Sequence, residues 1–433
     1  MRIDRLGCLL GLACLPALAV LAISGCGSAG AELKVGALID CTGVLGSFHD
    51  SLLASTELPL LEQGGRLVSG PHGLVAEATI DGTRVQLFEG CAETGVFDTL
   101  IASTRRLVEN EHVRVLVGPF GETDGIVLKR YLHAHPEVTA ILANSSAQAV
   151  TLHDPIRNLF RFTPDGAQQA AGLGTYAFKT LGWRTANVID DGFPYSWEGA
   201  AGFDAEFCSL GGRIVSRAVA PTSSPIAAVP HLDPGADGTV VLLSGISNPT
   251  ALLQALARRG NAASTLLMWR ATVVGVLSRL APKLAGVVIA SDVPAESPAL
   301  RRIERSFTHA FPGQPGTVLA ALGLYSYVAT ASVVAALEAV HGNLGPGQRR
   351  LRSALATLTL ATPEGPVHLD LNRQAVVNAY LLRIEPRHGV SNLRTIRTFR
   401  GVDESFGGYL SRAPEPTATT PGCKPGPSPA WAR

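Results

Sequence analysis

One stretch limits the folds open to this chain more than any other. It reads Val113-Arg-Val-Leu-Val-Gly-Pro-Phe-Gly-Glu-Thr-Asp124, then a mixed segment, then Ala140-Ile-Leu-Ala-Asn-Ser-Ser-Ala147. Val113 to Val117 is a β-branched run stopping at Gly118-Pro119, the pattern of a buried strand that ends in a turn. From Asp124 to His135 the apolar residues Val127, Leu128, Tyr131 and Leu132 share one helical face, and Pro136 ends the helix. Ala140 to Ala143 is a second strand, and Asn144-Ser145-Ser146 is placed to cap the next element. Strand, helix, strand is the unit of a parallel sheet. Both strands end in small polar loops on one edge, where open α/β sheets bind ligands beside backbone N–H groups. Taken alone, the stretch fits an ordinary sheet edge with capping serines equally well.

The same alternation runs along the chain. Strands are expected at 33–39, 84–89, 185–190, 213–219, 239–243, 265–269 and 286–290, and an extended segment at 159–163. Helices are expected at 50–63 (kinked or broken at Pro59), 97–110, 168–181, 197–210, 249–259, 300–311, 317–342 and 348–358. Val68 to Ala78 reads as irregular. Val367 to Leu371 and Ala375 to Ile384 read as a closing hairpin. The helical region 317–342 is apolar but interrupted by Gly323 and by Tyr325, Ser326 and Tyr327, so it does not require a membrane span. From Ala413 onward Pro, Thr, Gly and Ser dominate, which predicts a disordered tail over 411–433. The βαβ pattern starts afresh after Phe162. The expectation is therefore two doubly wound, Rossmann-like α/β lobes with a ligand cleft between them.

A chain of 433 residues exceeds one compact core and suits two domains. With 36 basic and 35 acidic residues, and no basic run interleaved with aromatics, nothing points to nucleic acid. Residues 1–25 have the form of a secretory signal: basic Met1 to Arg5, apolar Leu6 to Ile23, then Ser24-Gly25 before Cys26. The Ile23-Ser24-Gly25-Cys26 end resembles a bacterial lipobox, which implies that Cys26 becomes a lipidated first residue. Residues 26–32 would then be a tether, and the protein would sit outside the cytoplasmic membrane on its lipid. Four cysteines remain in that oxidising compartment: Cys41, Cys91, Cys208 and Cys423. Cys41 and Cys91 end two early strands that should be sheet neighbours, so a disulfide is expected between them. Cys208 with Cys423 is the leftover pair. No Cys/His grouping has zinc spacing, so no metal and no cofactor is expected. His133 and His135 read as solvated, and Asp190 and Asp191 as caps.

Several blocks, in order, then carry a family resemblance. Lys34-Val-Gly-Ala-Leu-Ile-Asp-Cys-Thr-Gly43, Val115-Leu-Val-Gly-Pro-Phe120, Phe160-Arg-Phe-Thr-Pro-Asp-Gly-Ala-Gln-Gln169, Asp190 to Phe203 and Gly365-Pro-Val-His-Leu-Asp370 resemble segments of ABC-importer solute-binding proteins. The likeness is to the branched-chain amino acid (Leu/Ile/Val) binding family with the type I periplasmic binding fold. It covers about Leu33 to Ile384.

The resemblance implies a three-stranded hinge, with crossovers near Thr163, Ser291 and Pro363. Lobe 1 would be 33–162 plus 292–363, and lobe 2 would be 163–291 plus 364–410. It implies ligand contacts at Phe48, at Glu122 and Thr123 (where the family has a Ser-rich loop), and at Ser145 and Ser146, which would grip a carboxylate. In the second lobe it implies Tyr195, Ser244, Gly245 and Arg270. The family's acid for an α-ammonium should lie near Trp269-Arg270-Ala271, and none is there. The expected ligand is thus a small polar solute, amino-acid-like or carboxylate-bearing, other than an ordinary branched-chain amino acid; Glu122 could supply the charge for an ammonium from the first lobe.

The expected partners are that ligand, an ABC permease in the cytoplasmic membrane, and the membrane through the N-terminal lipid. A ligand sensor serving a membrane receptor is the alternative. An enzyme is disfavoured, because the sequence has neither a Gly-x-Ser-x-Gly elbow nor a Gly-x-x-x-x-Gly-Lys loop.

Overall fold

The computed structural model describes residues 31–68, 73–244, 249–258, 264–269, 284–314, 322–387, 390–419 and 422–433. Its first sheet grows around β1 (Glu32–Asp40), an apolar strand buried on both faces as a central parallel strand must be. Strand β4 (Thr83–Ala92) lies parallel on one side of β1. On the other side come β5 (Val115–Val117), β6 (Thr139–Leu142) and β7 (Leu159–Arg161), all parallel. Strands β2 (Arg66–Leu67) and β3 (Leu74–Ile80) complete one edge antiparallel, giving the order β2-β3-β4-β1-β5-β6-β7. Helices α1 (His49–Glu62), α2 (Phe97–Arg105) and α3 (Asp124–Ala134) connect these strands. Winding reverses between β1 and β5, so the loops after those strands flank a crevice at the sheet's carboxyl edge.

The second sheet repeats the plan. Strands β9 (Arg213–Val219), β8 (Thr185–Asp190), β10 (Gly238–Leu243), β11 (Thr265–Trp269) and β12 (Val288–Ser291) are parallel in that spatial order. Its reversal falls between β8 and β10. Beyond β12 lie β15 (Ala375–Arg387), β14 (Gly365–Leu369) and β13 (Leu360–Thr362), with β16 (Val390–Val402) paired to β15. Helices α4 (Gly166–Gln169), α5 (Leu173–Lys179), α6 (Pro194–Ser209) and α7 (Thr250–Arg258) belong to this half. After β12 the chain returns to the first half as α8 (Pro298–Ala310) and α9 (Leu324–Ala339), both packed on α1. It re-enters the second half through α10 (Arg349–Thr357) and β13. The two-lobed α/β class is thus as expected. No helix among the described residues is long and apolar enough to cross a membrane.

Four local expectations are corrected. The segment 68–78 is not irregular throughout: it contains β3, joined to β4 by Asp81-Gly82 with φ of 43° and 78°. An Asp-Gly pair with both φ positive is the two-residue hairpin turn whose twist suits adjoining strands. Pro59 does not break α1. A mid-helix proline costs about 3 kcal/mol, and burying Leu52, Leu58 and Leu60 offsets it at roughly 1.5–3 kcal/mol each. The helix expected at 168–181 is two helices, parted at Gly172 with φ of 93°. A Cβ on Gly172 would lie 2.3 Å from the Phe399 ring, so glycine is required there on two counts.

The tail from 411 onward is not disordered as composition implied. Cys423 is bonded to Cys208 on α6, Trp431 Nε1 donates to Glu206 at 2.7 Å, and the Trp431 ring meets Phe406 edge-on at 5.3 Å. A covalent tether and one half-buried aromatic supply what the Pro/Thr/Gly/Ser composition lacks. The other expected disulfide, Cys41–Cys91, joins the ends of β1 and β4 at a Cα separation of 5.3 Å. The expected leader with Cys26, and the expected site residues Gly245 and Arg270, lie outside the described residues.

Candidate functional site

The loops after β1, β5 and β6 carry the first group of expected residues. Phe48 ends the 3-10 stretch Gly43–Phe48 before α1 and is 36% exposed. Glu122 and Thr123 lead into α3, where Thr123 occupies the N-cap position without a side-chain cap bond. Ser145 and Ser146 follow β6 and are both buried, yet they differ. Ser145 Oγ donates to the Glu122 carbonyl at 2.8 Å and accepts from the Gly125 N–H at 2.8 Å. Its hydroxyl is therefore taken up by the start of α3, and it does not cap the following turn at Gln148–Val150 as its position implied. Ser146 is 1% exposed, and its Oγ has no hydrogen-bond partner among the described residues. Burying such a group unpaired costs about 1–3 kcal/mol.

The serine loop is held rigid from behind. Arg161, at the end of β7, is fully buried. Its Nη1 donates to the carbonyls of Ser145 at 2.8 Å and Ala147 at 2.9 Å, its Nη2 to Thr151 Oγ1 at 2.7 Å, and its Nε to Gln374. Thr163 Oγ1 donates to the Ala143 carbonyl at 2.8 Å, and Asn144 Nδ2 to that of Phe120 at 3.1 Å. The guanidinium supplies donors in a fixed fork that no lysine could reproduce.

The second lobe presents its own carboxyl edge. Pro194 opens α6 at a position where its missing N–H costs nothing. Tyr195, one residue on, is 2% exposed and donates to Gln169 Oε1 at 2.6 Å. Ser244, after β10, donates through N and Oγ to Asp191 Oδ2 at 2.7 and 2.8 Å, while Asp191 Oδ1 accepts from Ser196 Oγ. Asp191 thus bridges the loops after β8 and β10, at the point where the winding reverses. Asp190 accepts from the Gly192 N–H at 2.8 Å.

One residue unforeseen in the sequence joins the two halves. Glu198, on α6, accepts through Oε1 from the Gln148 N–H at 2.9 Å, while Oε2 is buried without a partner. Burial first, and the Asp165 carboxylate next, raise its pKa well above the usual range. Burial likewise raises Asp165 to about 6, against the pull of Arg161. Burial and then Asp165 raise Glu404 to about 7. Arg161 is the buried cation beside these three acids, and its pull only partly offsets burial and their mutual repulsion. A second acidic group sits at the other crossovers. Tyr325 on α9 donates to Asp292, and both oxygens of Glu364 are buried and unpartnered, with burial and then Asp292 pushing its pKa far up.

The strand-centre arginine in Phe160-Arg-Phe and the lone acid in the small-residue run after Trp197 were the available sequence signals for Arg161 and Glu198. Among the described residues, the only His/Cys/Asp/Glu group at metal-ligand distances is Cys41, Glu89 and Cys91. Its two cysteines form the disulfide and have no thiolate to offer.

The geometry meets known proteins at this point. The family model described as periplasmic binding protein matches residues 32–389. An ABC transporter substrate-binding protein from Sphaerobacter thermophilus is 21% identical over 86% of this chain and 99% of its own, with a TM-score of 0.72. A solute binding protein of an ABC transporter from Rhodopseudomonas palustris HaA2, in complex with p-hydroxybenzoic acid, is 17% identical. It covers 86% of this chain and 98% of its own, at a TM-score of 0.69. A leucine binding protein from Thermotoga maritima is 14% identical over 84% and 98%, at 0.62. At these identities the structural likeness is one of fold. No curated protein matches the chain.

Proposed function

The chain belongs to the periplasmic binding protein family, and on that premise we propose that it is the solute receptor of an ABC importer. The receptor is held outside the cytoplasmic membrane by lipid on Cys26, captures a small carboxylate-bearing solute between its lobes, and delivers it to a membrane permease. It carries out no chemical step. The reading rests above all on the buried, unpartnered hydroxyl of Ser146, at the carboxyl edge of the first sheet, held there by Arg161. A hydroxyl poised in this way offers a carboxylate a charge-assisted bond. The similar structures named above include one bound to p-hydroxybenzoic acid and one called a leucine binding protein, and both compounds carry a carboxylate. Tyr195 at the start of α6 supplies a wall in the second lobe, and Phe48, Glu122, Thr123, Ser244, Gly245 and Arg270 complete the proposed lining.

The test is to purify the chain without denaturation, identify co-purified small molecules by mass spectrometry, and titrate them back. The expected result is one carboxylate per chain, with a higher melting temperature by mass action and a smaller radius in solution scattering as the lobes close. Turnover of the solute, or a bound molecule lacking any acid group, overturns the proposal. Membrane retention should be lost in Cys26→Ala, and a correctly cut, fully retained variant overturns the lipid anchor.

A further inference from the structure

We propose that Ser146 and Glu198, from opposite lobes, form one subsite for the solute's carboxylate, with Glu198 entering as a neutral acid that donates through Oε2. This rests on the receptor reading above. Gly166 brings the two residues together. Its N–H donates to the Ser146 carbonyl at 3.2 Å, and a Cβ placed on it would lie 2.4 Å from Glu198 Oε2. A side chain at 166 would clash with Glu198, so the glycine is what lets α4 and α6 pack this closely beside that oxygen. Both Ser146 Oγ and Glu198 Oε2 are buried and unpartnered. Glu198 Oε1 already accepts from the Gln148 N–H, so in the neutral form Oε2 carries the proton and is a donor.

The charges facing Glu198 favour that form. Asp165 caps α4 beside it, Glu122 approaches from the loop before α3, and Arg161 on β7 is the opposing cation. Glu404 adds a further carboxyl next to Asp165. A donor from each lobe suits a group that can only accept, and an ionised carboxylate is such a group. An ionised Glu198 would instead repel it.

Capture therefore requires a proton on Glu198, and affinity for a carboxylate must fall as pH rises. Benzoate, 4-hydroxybenzoate and leucine serve as probes, because their carboxylates stay ionised between about pH 6 and 8. Titration calorimetry of the full chain at rising pH should show binding that holds while Glu198 keeps its proton and then weakens, by up to about tenfold per unit, the ceiling for one proton. In Glu198→Gln, which keeps a donor but cannot titrate, the ratio of affinities should collapse towards one. Wild-type affinity that does not fall at any pH up to that at which the chain unfolds overturns the Glu198 proposal and leaves the receptor reading intact, as does a slope that survives Glu198→Gln. If none of the three probes binds, the subsite proposal falls, and the co-purified molecule decides the receptor reading separately. Should Glu198→Gln fail to fold, the pH profile of wild-type affinity decides alone, and a profile that stays flat until the chain unfolds, or rises, overturns the proposal.

Discussion

Arg161 Nη1 donates to the carbonyl oxygen of Ser145 at 2.8 Å, from a guanidinium with no exposed surface. This one contact ties the last strand of the first sheet to the loop that carries the unpartnered Ser146 hydroxyl. The same nitrogen reaches Ala147, so the carbonyls flanking Ser146 are both fixed.

Replacing Arg161 by methionine should therefore do two things. It leaves the carbonyls of Ser145 and Ala147 unpaired and the neighbouring acids Asp165 and Glu404 without their cation. A loss of about 3–5 kcal/mol is expected, the range for breaking a buried charge network on one side. Urea unfolding measures it. Arg161→Lys should recover only part of the loss, since an ammonium cannot span all four acceptors. A methionine variant as stable as wild type would show that the loop does not need the guanidinium.

The C-terminal strap gives a second expectation. Cys423→Ser should release residues 411–433 from α6 and lower stability by about 2–4 kcal/mol. Limited proteolysis should then clip the tail in the variant, and in reduced wild type, but not in the oxidised protein. Equal clipping of all three would mean that the Trp431–Glu206 contact and the disulfide do not hold the tail.

Much of this fold was legible because parallel strands buried on both faces read as short apolar runs closed by Gly or Pro. Strand β8 matches its expected limits residue for residue. The failures are equally physical. The tail's order depends on a bond between Cys208 and Cys423, 215 residues apart, which no local composition reports. Strand β16 is polar and half-exposed, and it becomes a strand by pairing with β15. At the site, the sequence singled out both serines but could not divide their roles. Which hydroxyl is taken up depends on Gly125 and Glu122, some twenty residues away, and on where α3 begins. Glu198 was missed because its importance comes from its contact with Gln148 in the other lobe.

Stability should decline as pH rises through neutrality. Glu57, on α1, is raised to about 8, by burial first and the Glu89 carboxylate next. A carboxyl whose folded pKa exceeds its unfolded value binds its proton more tightly when folded. Its contribution favours the fold below the unfolded pKa and is lost as pH climbs towards about 8. His49, whose pKa is held up by Glu89 and Asp50 against the opposing effect of burial, acts in the same direction. Unfolding midpoints should thus fall from about pH 5.5 to about pH 8.5, and Glu57→Gln should flatten the slope. A wild-type midpoint that rises over this interval would contradict the assignment.

The two serines should separate cleanly by mutation. Ser145→Ala removes the acceptor of the buried Gly125 N–H and the donor to Glu122, so it should cost about 1–3 kcal/mol of stability. Ser146→Ala removes a hydroxyl that has no partner within the chain, so stability should hold or rise slightly. Binding should show the reverse emphasis. Loss of the Ser146 hydroxyl deletes a bond to a charged group, at about 1.5–3 kcal/mol, which is roughly a tenfold to hundredfold weaker affinity. Thermal melts without solute and calorimetry with the co-purified solute measure the two effects separately. A Ser146→Ala variant that melts early and binds normally would reverse the assignment and put Ser145 at the ligand instead.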